Sequence, residues 1–159
     1  MVNFTDNIAN ASKGIFDTKE PLDYVVCSFS DKATMDVHQS GTGGYADVKS
    51  ILESEFGDKV AMGAFAVTAL DERGSVISVR KKIIHFIWTG PDCGIMQKSK
   101  GATSSGAFRE AFPGCALYVQ IKDPEDLNEA SLESKLRAAG GAHQPKEFDW
   151  TNKPVEGFN

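Results

Sequence analysis

Apolar residues recur at three- and four-residue steps in several parts of the chain, a spacing that places them on one face of an α-helix. Residues 4–15 and 45–56 both show this pattern, and each segment is predicted to form an amphipathic helix. A further helix is predicted within residues 94–112, where three glycines lower its intrinsic stability. The pattern therefore predicts three separate helices before the last part of the chain.

The last helix is predicted from its boundary signals as well as from its apolar stripe. Asp123 can cap a helix N-terminus with its side-chain oxygen, and the fixed φ of Pro124 suits a first turn. The apolar residues that follow run to Ala139, and Gly140-Gly141 supply a stop signal. The sequence therefore predicts a well-delimited helix that begins at this cap and ends before the glycine pair.

Runs of β-branched and aromatic residues mark the predicted strands. Residues 24–30 (YVVCSFS) and the alternating run at 33–37 are predicted to form two strands joined by a polar turn. Residues 60–70 and 83–88 are apolar on both faces, as covered central strands must be, and DERGS between them reads as a hairpin connection. With LYVQI at 117–121, the pattern predicts an α/β fold of α+β type, a mixed sheet of about five strands flanked by helices on both faces.

Length and composition fit one compact domain. The chain has 159 residues, of which 41% are hydrophobic and 25% charged, enough for a real core. We expect the domain to span residues 1–142 and residues 143–159 to form a flexible tail, because the tail has two prolines and no periodicity. No apolar run approaches the roughly 20 residues of a membrane span, and the N-terminus lacks a secretory signal pattern. A cytoplasmic, monomeric protein is expected.

One glycine-rich loop suggests a nucleotide site. Residues 41–46 (GTGGYA) fit the Gly-x-Gly-x-x-Gly/Ala pattern, in which backbone N–H groups meet a pyrophosphate at a helix start. The preceding run, however, carries Thr34, Asp36 and His38 on one face and follows a short turn, so it reads as the second arm of a hairpin. A turn feeding a helix is the favoured interpretation, and a nucleotide enzyme is the alternative.

Histidines and cysteines do not form a recognisable catalytic or metal-binding pattern. None of their spacings resembles a zinc site or a redox pair, so free thiols and a buried core histidine at position 85 are expected. The acidic residues lie on solvated helical faces. The sequence therefore predicts no enzyme activity, no metal and no cofactor. The residues considered are Cys27, Cys93, Cys115, His38, His85 and His143.

Charge is distributed unevenly along the chain. The formal net charge is -5, which disfavours nucleic-acid binding by the whole surface. Residues 80–100 nevertheless carry a local charge of +4, which leaves -9 on the rest. Such a basic patch suits an acidic partner surface, although charges flanking an aggregation-prone strand are the alternative interpretation. The basic residues of the patch are Arg80, Lys81, Lys82, Lys98 and Lys100.

Three segments resemble the coactosin branch of the actin-depolymerising-factor homology (ADF/cofilin) superfamily. They are KKIIHFIWTGPDCGIMQKSKGATSSGAFREAF, LYVQIKDPEDL and ESKLRAAGGA. The shared features are a strand ending in Trp-x-Gly, a lysine-rich helix start, a final strand and a helix closing with Ala-Gly-Gly-Ala. The resemblance covers residues 20–143 in order and is strongest from Lys82 to Ala142. It implies a mixed central sheet flanked by helices and a cytoskeleton-associated protein whose partner is filamentous actin.

The resemblance also implies which residues contact actin. Coactosins bind the side of actin filaments without severing them and can oppose capping. By position, the lysine central to filament binding falls on Lys82, and the paired lysines of the actin-facing helix fall on Lys98 and Lys100. The basic residue before Ala-Gly-Gly falls on Arg137. Arg80 and Lys81 join this expected site through the basic patch.

Two departures from the family pattern bear on the expected function. Ala138 stands where animal coactosins often have a second lysine, which puts one contact in question. The N-terminus lacks the Met-Ala-Ser-Gly start of cofilins, so weak monomer binding and no phosphorylation at that site are expected. Two alternatives stay open: a cofilin-like actin depolymeriser, and a protein whose basic patch binds anionic phospholipid headgroups such as acidic phosphoinositides.

Overall fold

The structure is a computed structural model and describes residues 2–17, 22–140 and 145–151. The helices are α1 (Asp6–Phe16), α2 (Gly44–Glu55), α3 (Ile95–Glu110) and α4 (Glu129–Ala139). The strands are β1 (Asn3–Phe4), β2 (Tyr24–Phe29), β3 (Thr34–Gly41), β4 (Val60–Arg73), β5 (Val76–Thr89), β6 (Leu117–Ile121) and β7 (Glu147–Asp149).

The strands form one mixed sheet. Their order is β1-β3-β2-β4-β5-β6, and β7 pairs with β4 away from this path. The central pairs are antiparallel, whereas β1 runs parallel to β3 and β6 runs parallel to β5. The predicted α+β fold is confirmed, and the five predicted strands are joined by the two short strands β1 and β7.

Helices cover both faces of this sheet, and the side chains of β4 and β5 alternate between these two faces. Phe65 and Ile84 pack on the face that carries α2 and α4. Met62 and Ile87 pack on the opposite face, together with Ile8 of α1 and other residues of α1 and α3. This arrangement explains why the sequence of both strands is apolar without a polar alternation.

The last predicted helix begins later than its apparent cap. The side chain of Asp123 accepts a hydrogen bond from the Glu125 amide, but it caps only a short 3-10 turn over Pro124–Asp126. Leu127 ends this turn with a non-helical backbone, and its carbonyl oxygen accepts a hydrogen bond of 2.9 Å from the Tyr45 hydroxyl. Asn128 then caps α4, with its Oδ1 accepting from the Ser131 amide at 2.8 Å.

The C-terminal segment also differs from the expectation of a flexible tail. Within residues 145–151, the strand β7 pairs antiparallel with β4, and Trp150 is buried. Its pairing partners are far away in sequence, so no local pattern reveals the strand. Residues 141–144, including His143, and residues 152–159 lie outside the described residues.

The Trp-x-Gly motif fastens the end of α2 to β5. Trp88 donates from Nε1 to the Phe56 carbonyl oxygen at 2.8 Å, and the Gly90 amide donates to the Lys59 carbonyl oxygen at 3.0 Å. A Cβ at Gly90 would overlap the carbonyl oxygens of Phe56 and Gly57. These contacts explain by the fold alone why tryptophan and glycine stand at positions 88 and 90.

Replacing Trp88 with phenylalanine is expected to destabilise the protein by about 1–3 kcal/mol, because it removes this buried hydrogen bond and leaves a small cavity. Urea unfolding measures the effect as a lower midpoint with an unchanged slope. A variant that unfolds at the same urea concentration as the wild type would contradict the role of the indole N–H.

Candidate functional site

The strands β4 and β5 extend beyond the main sheet as a hairpin. Pairing of β2 with β4 reaches only as far as Phe65, whereas pairing of β4 with β5 continues to Arg73 and Val76. Gly74 closes the turn with a φ of 63°, a left-handed conformation that suits glycine. The projecting hairpin, residues 66–83, therefore presents the basic triplet of residues 80–82 outside the central strands.

The triplet divides between the two faces of the hairpin, because successive residues of a strand point in opposite directions. Arg80 and Lys82 share the face of the sheet that carries α2 and α4. Arg80 is exposed and Lys82 is half-buried. We call these two residues the basic face of the hairpin.

Lys81 points to the opposite face and is engaged within the protein. Its ammonium donates to the Leu22 carbonyl oxygen at 2.9 Å. Burial lowers the pKa of Lys81, while the nearby carboxylates of Asp23 and Asp17 partly offset this shift. The prediction that placed all three basic residues on a single surface therefore needs correction for Lys81.

The start of α3 forms a second surface at the other end of β5. Lys98 is exposed there beside Ile95 and Met96, whose side chains are each 86% exposed. Gly101 packs against Val60, which brings this helix close to the sheet. The helix start thus combines one exposed cation with a solvent-exposed apolar pair.

Lys100 is directed differently from Lys98. Its Nζ lies 3.8 Å from the centre of the Phe29 ring, a cation–π distance. Lys98 instead lines a groove of about 490 Å³ between α3 and the ends of β5 and β6. The two lysines that the resemblance pairs therefore have separate surroundings.

The predicted basic patch is thus two surfaces and not one. Lys82 and Thr89 lie seven residues apart in β5, which at about 3.3 Å per residue is roughly 23 Å. The basic face of the hairpin lies near the first position, and the start of α3 follows the second. Adjacency in sequence suggested one patch, but the extended strand between the two groups separates them.

Arg137 is occupied by contacts with the C-terminal segment. Its Nη1 donates to the Pro145 carbonyl oxygen at 2.8 Å, and its guanidinium lies 5.0 Å from the centre of the Phe148 ring. Glu133 lies one helical turn earlier, with its carboxylate 3.6 Å from Arg137 Nε. The residue that the resemblance assigns to filament contact therefore makes its described contacts inside the molecule.

Sequence reasoning missed the apolar end of the hairpin. Val76, Ile77 and Val79 are 65%, 40% and 38% exposed. They belong to β5, which begins at Val76, seven residues before the predicted strand. The run VISV is rich in β-branched residues and could have extended the prediction, but the basic triplet interrupts its apolar pattern.

The surroundings of the glycine-rich loop differ from those of a dinucleotide-binding loop. The preceding strand β3 runs antiparallel to β2 as the second arm of a hairpin, as the sequence indicated. The carboxylate of Asp47 lies so close to Gly43 that a Cβ there would overlap it. The start of α2 therefore carries its own negative charge in the place where a phosphate would bind.

Burial favours the neutral forms of the buried histidine and of two cysteines. His85 is fully buried, and neither ring nitrogen makes a hydrogen bond of normal geometry, although the Phe108 backbone lies close. Desolvation lowers the pKa of His85 to about 4, so its ring is neutral at pH 7. Burial raises the pKa of Cys27 and raises that of Cys115 to about 11, which disfavours their thiolate forms.

Residues 2–17, 22–140 and 145–151 form neither a cluster of metal ligands nor a membrane-spanning helix. In these ranges no three His, Cys, Asp or Glu side chains gather in a way that could hold a metal ion. No helix formed by the same residues is long and apolar enough to cross a membrane.

Solved structures of coactosins share this fold. The crystal structure of human coactosin-like protein superposes with a TM-score of 0.72 at 18% identity, covering 87% of this chain and 99% of that chain. Coactosin from Entamoeba histolytica gives a TM-score of 0.74 at 17% identity, covering 89% of this chain and 98% of that chain. At these identities the likeness shows the fold.

Sequence comparison confirms the resemblance to coactosins. The coactosin-like proteins of Rattus norvegicus and Homo sapiens are 31% and 30% identical over 70 residues, which is 44% of this chain and 49% of each relative. The chain thus matches about half the length of these curated relatives. A sequence profile of the family described as cofilin/tropomyosin-type actin-binding protein matches residues 1–137. This match covers most of the chain, and the chain therefore belongs to the family of cofilin/tropomyosin-type actin-binding proteins.

Proposed function

We propose that the protein binds the side of actin filaments without severing them, and that it has little affinity for monomeric actin. The observation that carries this proposal is the projecting hairpin, which presents Arg80 and Lys82 on one face of a protein with a net charge of -5. Membership of an actin-binding family supplies the partner. The solved structure of mouse coactosin, described as an actin filament binding protein, shares this fold with a TM-score of 0.64, which supports the preference for filaments.

The charge of the hairpin suits a filament surface. Actin is acidic, so cations on a projecting element steer the encounter and fix the register of docking. The start of α3 adds a second contact, in which Lys98 supplies charge while Ile95 and Met96 supply apolar area that loses water on binding. Affinity is therefore expected to fall as the salt concentration rises.

Replacing Lys82 with alanine is expected to weaken filament binding by about 1–3 kcal/mol, because the side chain lies on the face that docks and is already half-buried. Co-sedimentation with polymerised actin measures this as a higher dissociation constant. Lys13→Ala is the matched control, since it removes the same charge from an exposed position of α1. Equal binding by a folded Lys82→Ala variant and the wild type would remove Lys82 from the site.

Severing is tested separately from binding. Fluorescence microscopy of single filaments should show decoration by the protein with no rise in the number of breaks, and growth should persist when capping protein is added. A rise in breaks, or a rise in soluble actin, would favour a cofilin-like depolymeriser.

One observation favours a second candidate, the binding of anionic phospholipid headgroups. The exposed apolar residue Val76 lies on the same face of β5 as Arg80 and Lys82, toward the hairpin turn, an arrangement that also suits a membrane surface. Flotation with vesicles that contain phosphatidylinositol bisphosphate tests this candidate against vesicles of neutral lipid. Flotation with the anionic vesicles alone would support it, and no flotation with either would exclude it.

The cellular setting follows from the same proposal. A filament-side binder acts in the cytoplasm with the cytoskeleton, and we propose that it acts as a monomer built on one domain, in which the strand β7 joins the expected residues 1–142. Because the hairpin and the start of α3 both belong to one chain, a second copy is not required to complete the site.

A further inference from the structure

The C-terminal segment, residues 145–151, lies beside the basic face of the hairpin although it is remote in sequence. Phe148 of β7 pairs with Ala69 of β4, and on the other side of β4 Ala69 pairs with Arg80. Directly opposed residues of neighbouring strands point to the same face. Phe148 and Arg80 therefore share the face that also carries Lys82.

Pairing with β7 adds a third strand to the hairpin beside Ala69, the residue of β4 that pairs with Arg80. Among the described strands, only β5 and β7 pair with β4 beyond Phe65. A two-stranded hairpin is marginally stable in water, whereas three strands with an apolar face support one another. The segment thus converts the hairpin into a three-stranded sheet over Thr68–Leu70.

Arg137 and Trp150 fasten the segment to the body of the protein, and the exposed Lys146 ammonium also lies 3.4 Å from the Glu72 carboxylate of β4. Arg137 of α4 donates to the carbonyl oxygens of Pro145 at 2.8 Å and Lys146 at 3.5 Å, and it lies over the Phe148 ring. Trp150 is 8% exposed and packs edge-on against Tyr45, with ring centres 5.4 Å apart. A cation held by two carbonyl oxygens and a buried indole are strong anchors for so short a segment.

We propose that residues 145–151 form a supporting strap that positions Arg80 and Lys82 for filament binding, with Arg137 and Trp150 as its fastenings. This inference rests on the proposed filament-binding function, and it identifies the elements that hold the binding residues in position. A hairpin held in place loses less conformational freedom when it docks, so binding is tighter than with a free hairpin. Arg137 is then a positioning residue that acts through the strap.

The test combines hydrogen exchange with filament co-sedimentation on the full chain. Trp150→Ala removes one fastening without changing the charge, and Arg137→Ala removes the other. Arg137→Lys keeps the charge but cannot reproduce the planar fork. Lys135→Ala is the matched control, because it removes the same charge from an exposed position of α4. Exchange of amides in residues 66–83 is compared with exchange in β6.

We expect Trp150→Ala, Arg137→Ala and Arg137→Lys each to speed exchange in residues 66–83 and to raise the dissociation constant for filaments about five- to tenfold, with Lys135→Ala unchanged. Faster exchange with unchanged filament binding would overturn the positioning role. Unchanged exchange would show that the segment does not support the hairpin, and tighter binding would show that it obstructs the site. Failure of the wild type itself to bind filaments would instead overturn the proposed function.

Discussion

Replacing Gly63 with alanine is expected to destabilise the protein by about 3–5 kcal/mol, an effect large enough to impair folding. Gly63 lies in the centre of β4, paired with Val26 of β2 on one side and with Phe86 of β5 on the other. A Cβ at this position would overlap the carbonyl oxygen of Val25 and approach the Phe86 ring to 3.1 Å. Because strands hold β4 on both sides, its backbone cannot move away from the clash.

The measurement is chemical unfolding of Gly63→Ala beside a matched glycine replacement. Gly106 lies in α3 with open space around the position of a Cβ, so Gly106→Ala is expected to stabilise the protein by about 0.5–1 kcal/mol. The two variants make the same chemical change with opposite expected signs. A Gly63→Ala variant as stable as the wild type would mean that β2 and β4 do not approach as closely as described.

Acidification is expected to cost about 3 kcal/mol of stability between pH 6.5 and pH 4 through His85 alone. Desolvation lowers the pKa of His85 from 6.5 to about 4 in the folded protein, and the nearby cation of Arg109 acts in the same direction. Between these two values the unfolded chain binds more protons than the folded one, so stability falls as the pH falls. Above pH 6.5 the ring is neutral in both states and the contribution is complete.

A variant separates this effect from the titration of carboxylates in the same range. His85→Leu removes the titrating ring from a site packed by Phe112 and Tyr118. The free energy of unfolding of this variant, measured at several pH values, should lose the part of the slope that lies between pH 6.5 and pH 4. An identical slope in the two proteins would contradict the burial of a neutral histidine.

The parts of the fold that depend on local pattern could be predicted from the sequence. The two-sided apolar character of residues 60–70 and 83–88 indicated central strands, and β4 and β5 contain those segments. The start of α4 was placed too early, because Asp123 and Asn128 are both residue types that favour an N-cap, and Asn128 is the one that caps this helix. The strand β7 was missed because its pairing partner in β4 lies more than 70 positions earlier.

The candidate site also has one part that the sequence predicted and another that it did not. Sequence reasoning grouped Lys81 with Arg80 and Lys82, because the predicted strand began only at residue 83, whereas β5 begins at Val76. The acceptor that holds Lys81, the Leu22 carbonyl oxygen, is 59 residues away in sequence. The resemblance to coactosins indicated Arg137, whereas its described contacts with Pro145 and Phe148 depend on how the C-terminal segment folds back. Residue type and position therefore identified the basic groups, and tertiary contacts determine which of them face outward.

Filament co-sedimentation over a series of salt concentrations is the most direct test of the proposed function. The protein is mixed with polymerised actin, and both the protein in the pellet and the actin left in the supernatant are measured. We predict that the protein pellets with actin at low salt, that binding weakens as salt is added, and that soluble actin does not increase. Absence of binding at low salt, or a rise in soluble actin, would contradict a filament-side binder.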